Sequence, residues 1–170
     1  MTMKELEICV ASYGKDIYHF CLHLTRDREL AEDLYQDTFL TAIQKQKHID
    51  VGNAKGYFLS ISICLWKNRK RKIAWRNRIA PMEQWDDVTE QSLSFVEKDS
   101  VLENEKKAMI QNAVRGLSEK YRIVVLLFYT QELSLEEISK VLHIPVGTVK
   151  SRLYTAKQIL KSELEEYFHE

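Results

Sequence analysis

The sequence predicts an all-α protein built from two small helical domains joined by an acidic linker. Three observations lead there. Only two prolines and five glycines interrupt 170 residues, and the apolar residues recur mainly at helical spacing. The charges sum to zero but are segregated, with a basic block at Trp66–Arg78 followed beyond Pro81 by an acidic stretch. The expected division is residues 1–78, a linker over 79–104, and a second domain over 105–170.

A first helix is expected from about Lys4 to Leu24, followed by Thr25-Arg-Asp-Arg-Glu29 and a second helix through Gln46. Ala31, Leu34, Tyr35, Thr38 and Ala42 form the second helix's buried stripe. Its other side carries Asp33, Gln36 and Leu40 at i, i+3, i+7, flanked by Asp37 and Phe39. An exposed apolar residue ringed by carboxylates is the pattern of a docking site for a basic partner, although a lone surface leucine is ordinarily without meaning.

After a loop over Lys47–Lys55 comes Tyr57-Phe-Leu-Ser-Ile-Ser-Ile-Cys-Leu-Trp66, apolar nearly all round. It runs into a block of seven cations and no acid, Lys67, Arg69, Lys70, Arg71, Lys72, Arg76 and Arg78, interleaved with Trp66 and Trp75. Cations take phosphates and aromatic faces stack on unpaired bases, so the block reads as a nucleic-acid surface. The linker then accumulates Glu83, Asp86, Asp87, Glu90, Glu97, Asp99 and Glu103 while the apolar period fades.

In the second domain, Ser134 and Glu137 make a capping box, and Leu135, Ile138 and Leu142 fall on one stripe. His143 stands in the turn, where it tolerates a left-handed backbone. Pro145 is expected in the first turn of the next helix, whose buried face is Val149, Leu153, Ala156 and Leu160. Two helices around so short a turn make a helix-turn-helix, whose second helix enters the major groove. Opposite the buried face lie Lys150, Ser151, Tyr154, Thr155 and Gln158, with Lys157 and Lys161 on one flank and Arg152 on the other. From Gly147 to Lys161 there are four cations and no carboxylate, which suits a polyanion.

Other classes fit less well. The largest apolar run, Ile123–Tyr129, is too short to span a bilayer, and Met1–Cys9 is polar with alternating charge rather than a signal peptide. A cytoplasmic protein that is not membrane-embedded is expected. Cys9, Cys21 and Cys64 are isolated, and His19, Cys21 and His23 lack a completing ligand, so neither a disulfide framework, a metal site nor a cofactor is expected. A metal-dependent nuclease using Asp33 and Asp37 would need a further convergent His or carboxylate.

Four segments together resemble a known family. They are Ala31-Glu-Asp-Leu-Tyr-Gln-Asp-Thr-Phe39, Tyr57 through Arg71, Leu117-Ser-Glu-Lys-Tyr-Arg122 and Pro145-Val-Gly-Thr-Val-Lys-Ser-Arg-Leu153. The chain resembles the bacterial RNA polymerase sigma factors, specifically the small two-domain extracytoplasmic-function (ECF) class. The resemblance implies a non-enzymatic factor that directs core RNA polymerase to promoters and assists their melting. Asp33, Gln36, Asp37, Phe39 and Leu40 would bind the clamp helices of the β′ subunit. Tyr57, Ser60, Cys64, Trp66, Lys67, Arg69, Lys70 and Arg71 would read and hold the −10 element. Thr148, Lys150, Ser151, Arg152, Tyr154, Thr155 and Lys157 would contact the −35 element, and Ile123–Thr130 would support the core and the β-flap contact. The linker would thread through the polymerase channels. An anti-sigma factor is an expected partner, and no small-molecule substrate is expected. Tyr57, Cys64, Asn68 and Thr155 depart from the residues common in the family, which bears on the preferred promoter sequence and not on the overall role. The alternative reading from the residues alone is a stand-alone helix-turn-helix regulator that binds duplex DNA without polymerase.

Overall fold

The structure is a computed structural model that describes residues 1–79 and 101–168, and no strand occurs among the described residues. Helix α1 (Met3–Thr25) opens on a capping box. The Thr2 amide donates to Glu5 Oε2 at 2.7 Å, and the Glu5 amide returns a bond to Thr2 Oγ1 at 3.3 Å. The backbone bond from Thr2, and then its side-chain bond, hold the Glu5 carboxyl below the usual carboxylate range. Arg26 ends the helix in the left-handed region at φ 59°, its N–H bonding Leu22 O.

Asp27 caps α2 (Arg28–Gln44), its Oδ1 accepting from the Leu30 amide at 2.8 Å. The expected helix through Gln46 stops two residues early. Lys45 leaves helical backbone at φ −102°, ψ 11°, and the 47–55 loop is drawn into two tight turns, Gln46–His48 and Val51–Asn53. Helix α3 (Ala54–Ile79) then runs unbroken from the apolar segment into the basic block.

α1, α2 and α3 pack against one another around Phe20, Leu24, Leu34, Phe58 and Leu59, all 0% exposed. Each such side chain contributes about 1.5–3 kcal/mol by leaving water. Gly14 belongs to this packing, because a Cβ there would come within 2.9 Å of the Tyr35 hydroxyl. Its bare backbone lets α1 close on α2.

The second group comprises α4 (Val101–Gly116), α5 (Glu119–Val125), α6 (Leu135–Leu142) and α7 (Val146–Phe168). α5 continues into one widened turn, Leu126–Thr130, where the Gln131 amide reaches back five residues to Leu126 O at 3.1 Å. The capping box at Ser134 and Glu137 forms as expected, and His143 takes φ 54°, ψ 43°. Pro145 lies one position earlier than expected. Its carbonyl accepts from the Thr148 and Val149 amides, so it caps α7 instead of standing inside the first turn.

Of the expected linker 79–104, Ile79 ends α3 and residues 101–104 belong to α4. Residues 80–100, with Glu83, Asp86, Asp87, Glu90, Glu97 and Asp99, lie outside the described residues.

The two groups pack directly. The Arg122 guanidinium, on a residue only 4% exposed, donates to its own group's Leu117 O at 3.1 Å and across the junction to Leu24 O at 3.4 Å. Burial lowers its pKa, with the neighbouring Arg26 charge adding to the effect. Arg26 donates to Arg115 O at 3.0 Å, and Gln131 donates to Asp16 O at 3.4 Å. Lys55 pairs with Asp16 at 3.2 Å and lies 3.5 Å from Gln131 O.

Candidate nucleic-acid interface

The buried stripe on α2 comes out as the spacing demands, with Ala31, Leu34, Thr38 and Ala42 at 0% exposure and Tyr35 half-buried. That fixes what faces outward. Asp33, Gln36 and Asp37 are exposed, and Leu40 is 57% exposed with Ile43 beside it at 41%. Phe39 is half-buried, its ring 4.9 Å from that of Tyr35 and 5.1 Å from that of Phe58. It therefore serves the core and the surface together, which anchors the apolar part of this face to α3.

α3 divides the expected DNA-reading residues among different surroundings. Tyr57, Ser60, Cys64, Lys67 and Arg71 line one side of a crevice of about 470 Å³. Val141, Leu142 and His143 also line it, so the turn of the helix-turn-helix lies against this side of α3. Trp66 is 8% exposed, with its indole N–H unpartnered in the core, and among the described residues the indole free to stack is that of Trp75, 64% exposed. The apolar run before Trp66 gave no period from which to assign its face.

Arg69 and Lys70 face away from the crevice. Arg69 pairs with Asp37 of α2 at 3.0 Å, and Lys70 pairs with Glu119 at the start of α5 while lying 5.9 Å from the Trp66 ring. Sequence reasoning missed Glu119 as a functional neighbour of the block. It also missed Arg122, whose only local signal is a cation immediately before the apolar run that begins at Ile123.

On α7, Val149, Leu153 and Ala156 are buried and Leu160 is half-buried. Lys150 and Ser151 are consequently exposed, and Tyr154 reaches 67% exposure. Thr148, Arg152 and Thr155 are half-buried at the edges of this face, and the Ser151 hydroxyl donates to Thr148 O at 3.1 Å. Lys157 is turned to the flank, 5.7 Å from the Phe128 ring and 5.8 Å from that of Tyr129. The exposed face offers hydrogen-bond donors backed by positive charge, as groove binding requires.

The three cysteines do not converge. Cys9 and Cys21 are buried and Cys64 is exposed, and burial pushes the Cys21 thiol up to about 12. Among the described residues no group of three or more His, Cys, Asp or Glu comes together to hold a metal ion. No helix among them is long and apolar enough to cross a membrane.

The comparisons with known proteins agree with this arrangement. The chain matches the Sigma-70 region 2 family over residues 9–76 and the Sigma-70, region 4 family over residues 107–160. It is 30% identical over 152 residues to the ECF RNA polymerase sigma factor SigL of Mycobacterium tuberculosis, covering 88% of this chain and 83% of the relative. It is 29% identical over 161 residues to the ECF RNA polymerase sigma factor SigW of Bacillus subtilis, covering 91% and 86%. In fold it is similar to the sigma factor RpoE in its complex with the anti-sigma factor NepR from Bartonella quintana, with a TM-score of 0.80 and 22% identity over 96% of this chain and 98% of that one. The two helical groups, the acidic and partly apolar face of α2 and the helix-turn-helix thus fall within one family: the chain belongs to the ECF RNA polymerase sigma factors, which direct RNA polymerase to promoters.

Proposed function

We propose that residues 1–78 dock on core polymerase and capture the −10 element, that 79–104 connect, and that 105–170 bind the −35 element. Asp33, Gln36, Asp37, Phe39 and Leu40 meet the β′ clamp helices through charge and one apolar contact. Tyr57, Ser60, Cys64, Lys67 and Arg71, in the crevice of α3, take the separated strand, and Arg69 and Lys70 beside the crevice hold its backbone. Opening DNA costs a few kcal/mol per unstacked step, and base capture with phosphate contacts offsets it. Lys150, Ser151 and Tyr154 enter the upstream groove, with Thr148, Arg152, Thr155 and Lys157 at its edges. The factor works in the cytoplasm, carries no catalytic residue of its own, and is held by an anti-sigma factor, as the sigma factors RpoE and CnrH are with NepR and CnrY in the similar solved structures.

The observation that carries this reading is the junction of α2 and α3. Two helices locked by a buried core present an acidic, partly apolar face on one and a basic, aromatic-edged crevice on the other. The α6–α7 turn stands over that crevice, so a strand enters only once the two groups separate. Promoter-library transcription with core polymerase tests the assignment. Lys150→Ala with Tyr154→Ala should lower initiation at promoters that depend on the upstream element and spare those that do not. Unaltered initiation at every promoter would remove the role given to α7.

A further inference from the structure

Arg69 and Lys70 are adjacent in the basic block of α3, and each is neutralised by a carboxylate of the chain itself. Asp37 Oδ2 stands 3.0 Å from the Arg69 guanidinium, the Asp37 side chain 52% exposed and that of Arg69 26%. Glu119 holds the Lys70 ammonium from the other helical group. A carboxylate and a phosphate oxygen satisfy Arg or Lys in the same way, so a DNA strand competes with Asp37 and Glu119 for the same donors. On the docking role given to α2, both carboxylates lie where polymerase binding would change their surroundings. Asp37 belongs to the docking face of α2, and Glu119 moves away if the two groups separate.

We propose that Asp37 and Glu119 act as built-in phosphate mimics that mask Arg69 and Lys70 in the free chain and release them to DNA when polymerase occupies α2 and the groups part. The proposal rests on the docking and strand-binding roles given to α2 and α3 above. Exposed ion pairs are weak, and each mask therefore accounts for no more than about five-fold in strand affinity. Their joint effect is a modest bias that keeps the unassembled factor off nucleic acid, and it should appear most clearly in the salt dependence. Each cation set free for a phosphate releases one more counterion from the strand.

The test uses the full chain and a fluorescein-labelled thymidine 20-mer, with binding followed by anisotropy across a salt series. Asp37→Asn and Glu119→Gln should each tighten binding roughly two- to five-fold and steepen the log–log salt slope by about 0.7, and the double variant should combine the gains. Glu29→Gln, an exposed carboxylate on the same helix but outside both the pair and the docking face, should do neither. Arg69→Ala should erase the gain of Asp37→Asn, and Lys70→Ala that of Glu119→Gln. Unchanged affinity in both carboxylate variants, an equal gain from Glu29→Gln, or gains that survive loss of the cations would overturn the masking. Promoter opening by reconstituted holoenzyme separates this failure from that of the underlying reading. If Arg69→Ala and Lys70→Ala impair opening while the carboxylate variants leave free-chain binding unchanged, only the mask is lost; if they leave opening intact, the strand-binding role of these cations falls and the mask with it.

Discussion

The hydroxyl of Thr38 on α2 lies 3.0 Å from the hydroxyl of Ser62 on α3, with both side chains 0% exposed. Thr38 also lies 2.7 Å from Leu34 O and Ser62 2.9 Å from Phe58 O, each the carbonyl one turn back in its own helix. Two hydroxyl protons cannot serve all three contacts. One hydroxyl donates to its carbonyl and accepts from the other, which gives up its own carbonyl to do so. The pair fixes the register of α2 against α3 at a point where water is excluded.

Because either partner can fall back on its own helix, Thr38→Val and Ser62→Ala should each cost no more than about 1.5 kcal/mol. The double variant should cost less than their sum, with a coupling of roughly 0.5–1 kcal/mol. Urea unfolding of the four proteins measures this. Strict additivity would show that the hydroxyls do not bond to each other.

Arg122→Met keeps most of the side-chain volume but removes the buried donors to Leu117 O and Leu24 O. Loss of roughly 1–3 kcal/mol in unfolding free energy is expected. Small-angle scattering should also show a larger radius of gyration, since one of the lost bonds crosses between the groups. A variant of equal stability and unchanged dimensions would contradict the role assigned to this arginine.

Acid should weaken the fold through His23. Burial first, then the charges of Arg115 and His19, lowers its pKa below the ordinary histidine value. The unfolded chain then binds the proton more readily than the native one, so stability is greatest above the unfolded pKa of about 6.5. It is lost as pH falls through the window between that value and the lower native one. His23→Gln should flatten this part of the stability–pH curve, and an unchanged slope between pH 7.5 and 5.5 would exclude the contribution.

Thiol chemistry should separate the cysteines sharply. Cys21, its thiol pushed up to about 12 by burial, should resist alkylation in the native state. Cys64 is exposed on the crevice that faces the helix-turn-helix. A maleimide should label it first, and the adduct should hinder strand capture by the holoenzyme. Rapid native labelling of Cys21, or capture unaffected by a bulky group on Cys64, would contradict the geometry.

The helix-turn-helix was legible in the sequence because its signals are local. Ser134 with Glu137, and Ile138 with Val149 and Leu153, fix both helices within a few turns of chain. The outward face of α2 was legible for the same reason, since Ala31, Leu34, Thr38 and Ala42 leave Asp33, Gln36, Asp37 and Leu40 only one direction to point. What failed was non-local. Asp37 and Arg69 are 32 residues apart, and Lys70 and Glu119 are 49 apart, so no periodicity could pair them. Trp66 reads as a DNA contact because it heads the basic block and falls in the segment that resembles the family, but the run from Tyr57 is apolar on every side, and only the packing of α3 on α1 and α2 decides that this indole is buried. α2 ends early because Lys45 turns the chain, a local backbone event without a Gly or Pro to announce it.

The most direct test of the account is start-site mapping with core polymerase alone, with the chain added, and with Asp33→Arg. The account predicts new, chain-dependent start sites that vanish with Asp33→Arg in step with weakened co-elution with core polymerase, while the variant stays folded and its α7 face still contacts duplex DNA. Start sites indifferent to the chain, or an Asp33→Arg variant that binds and redirects polymerase as well as the parent does, would contradict it.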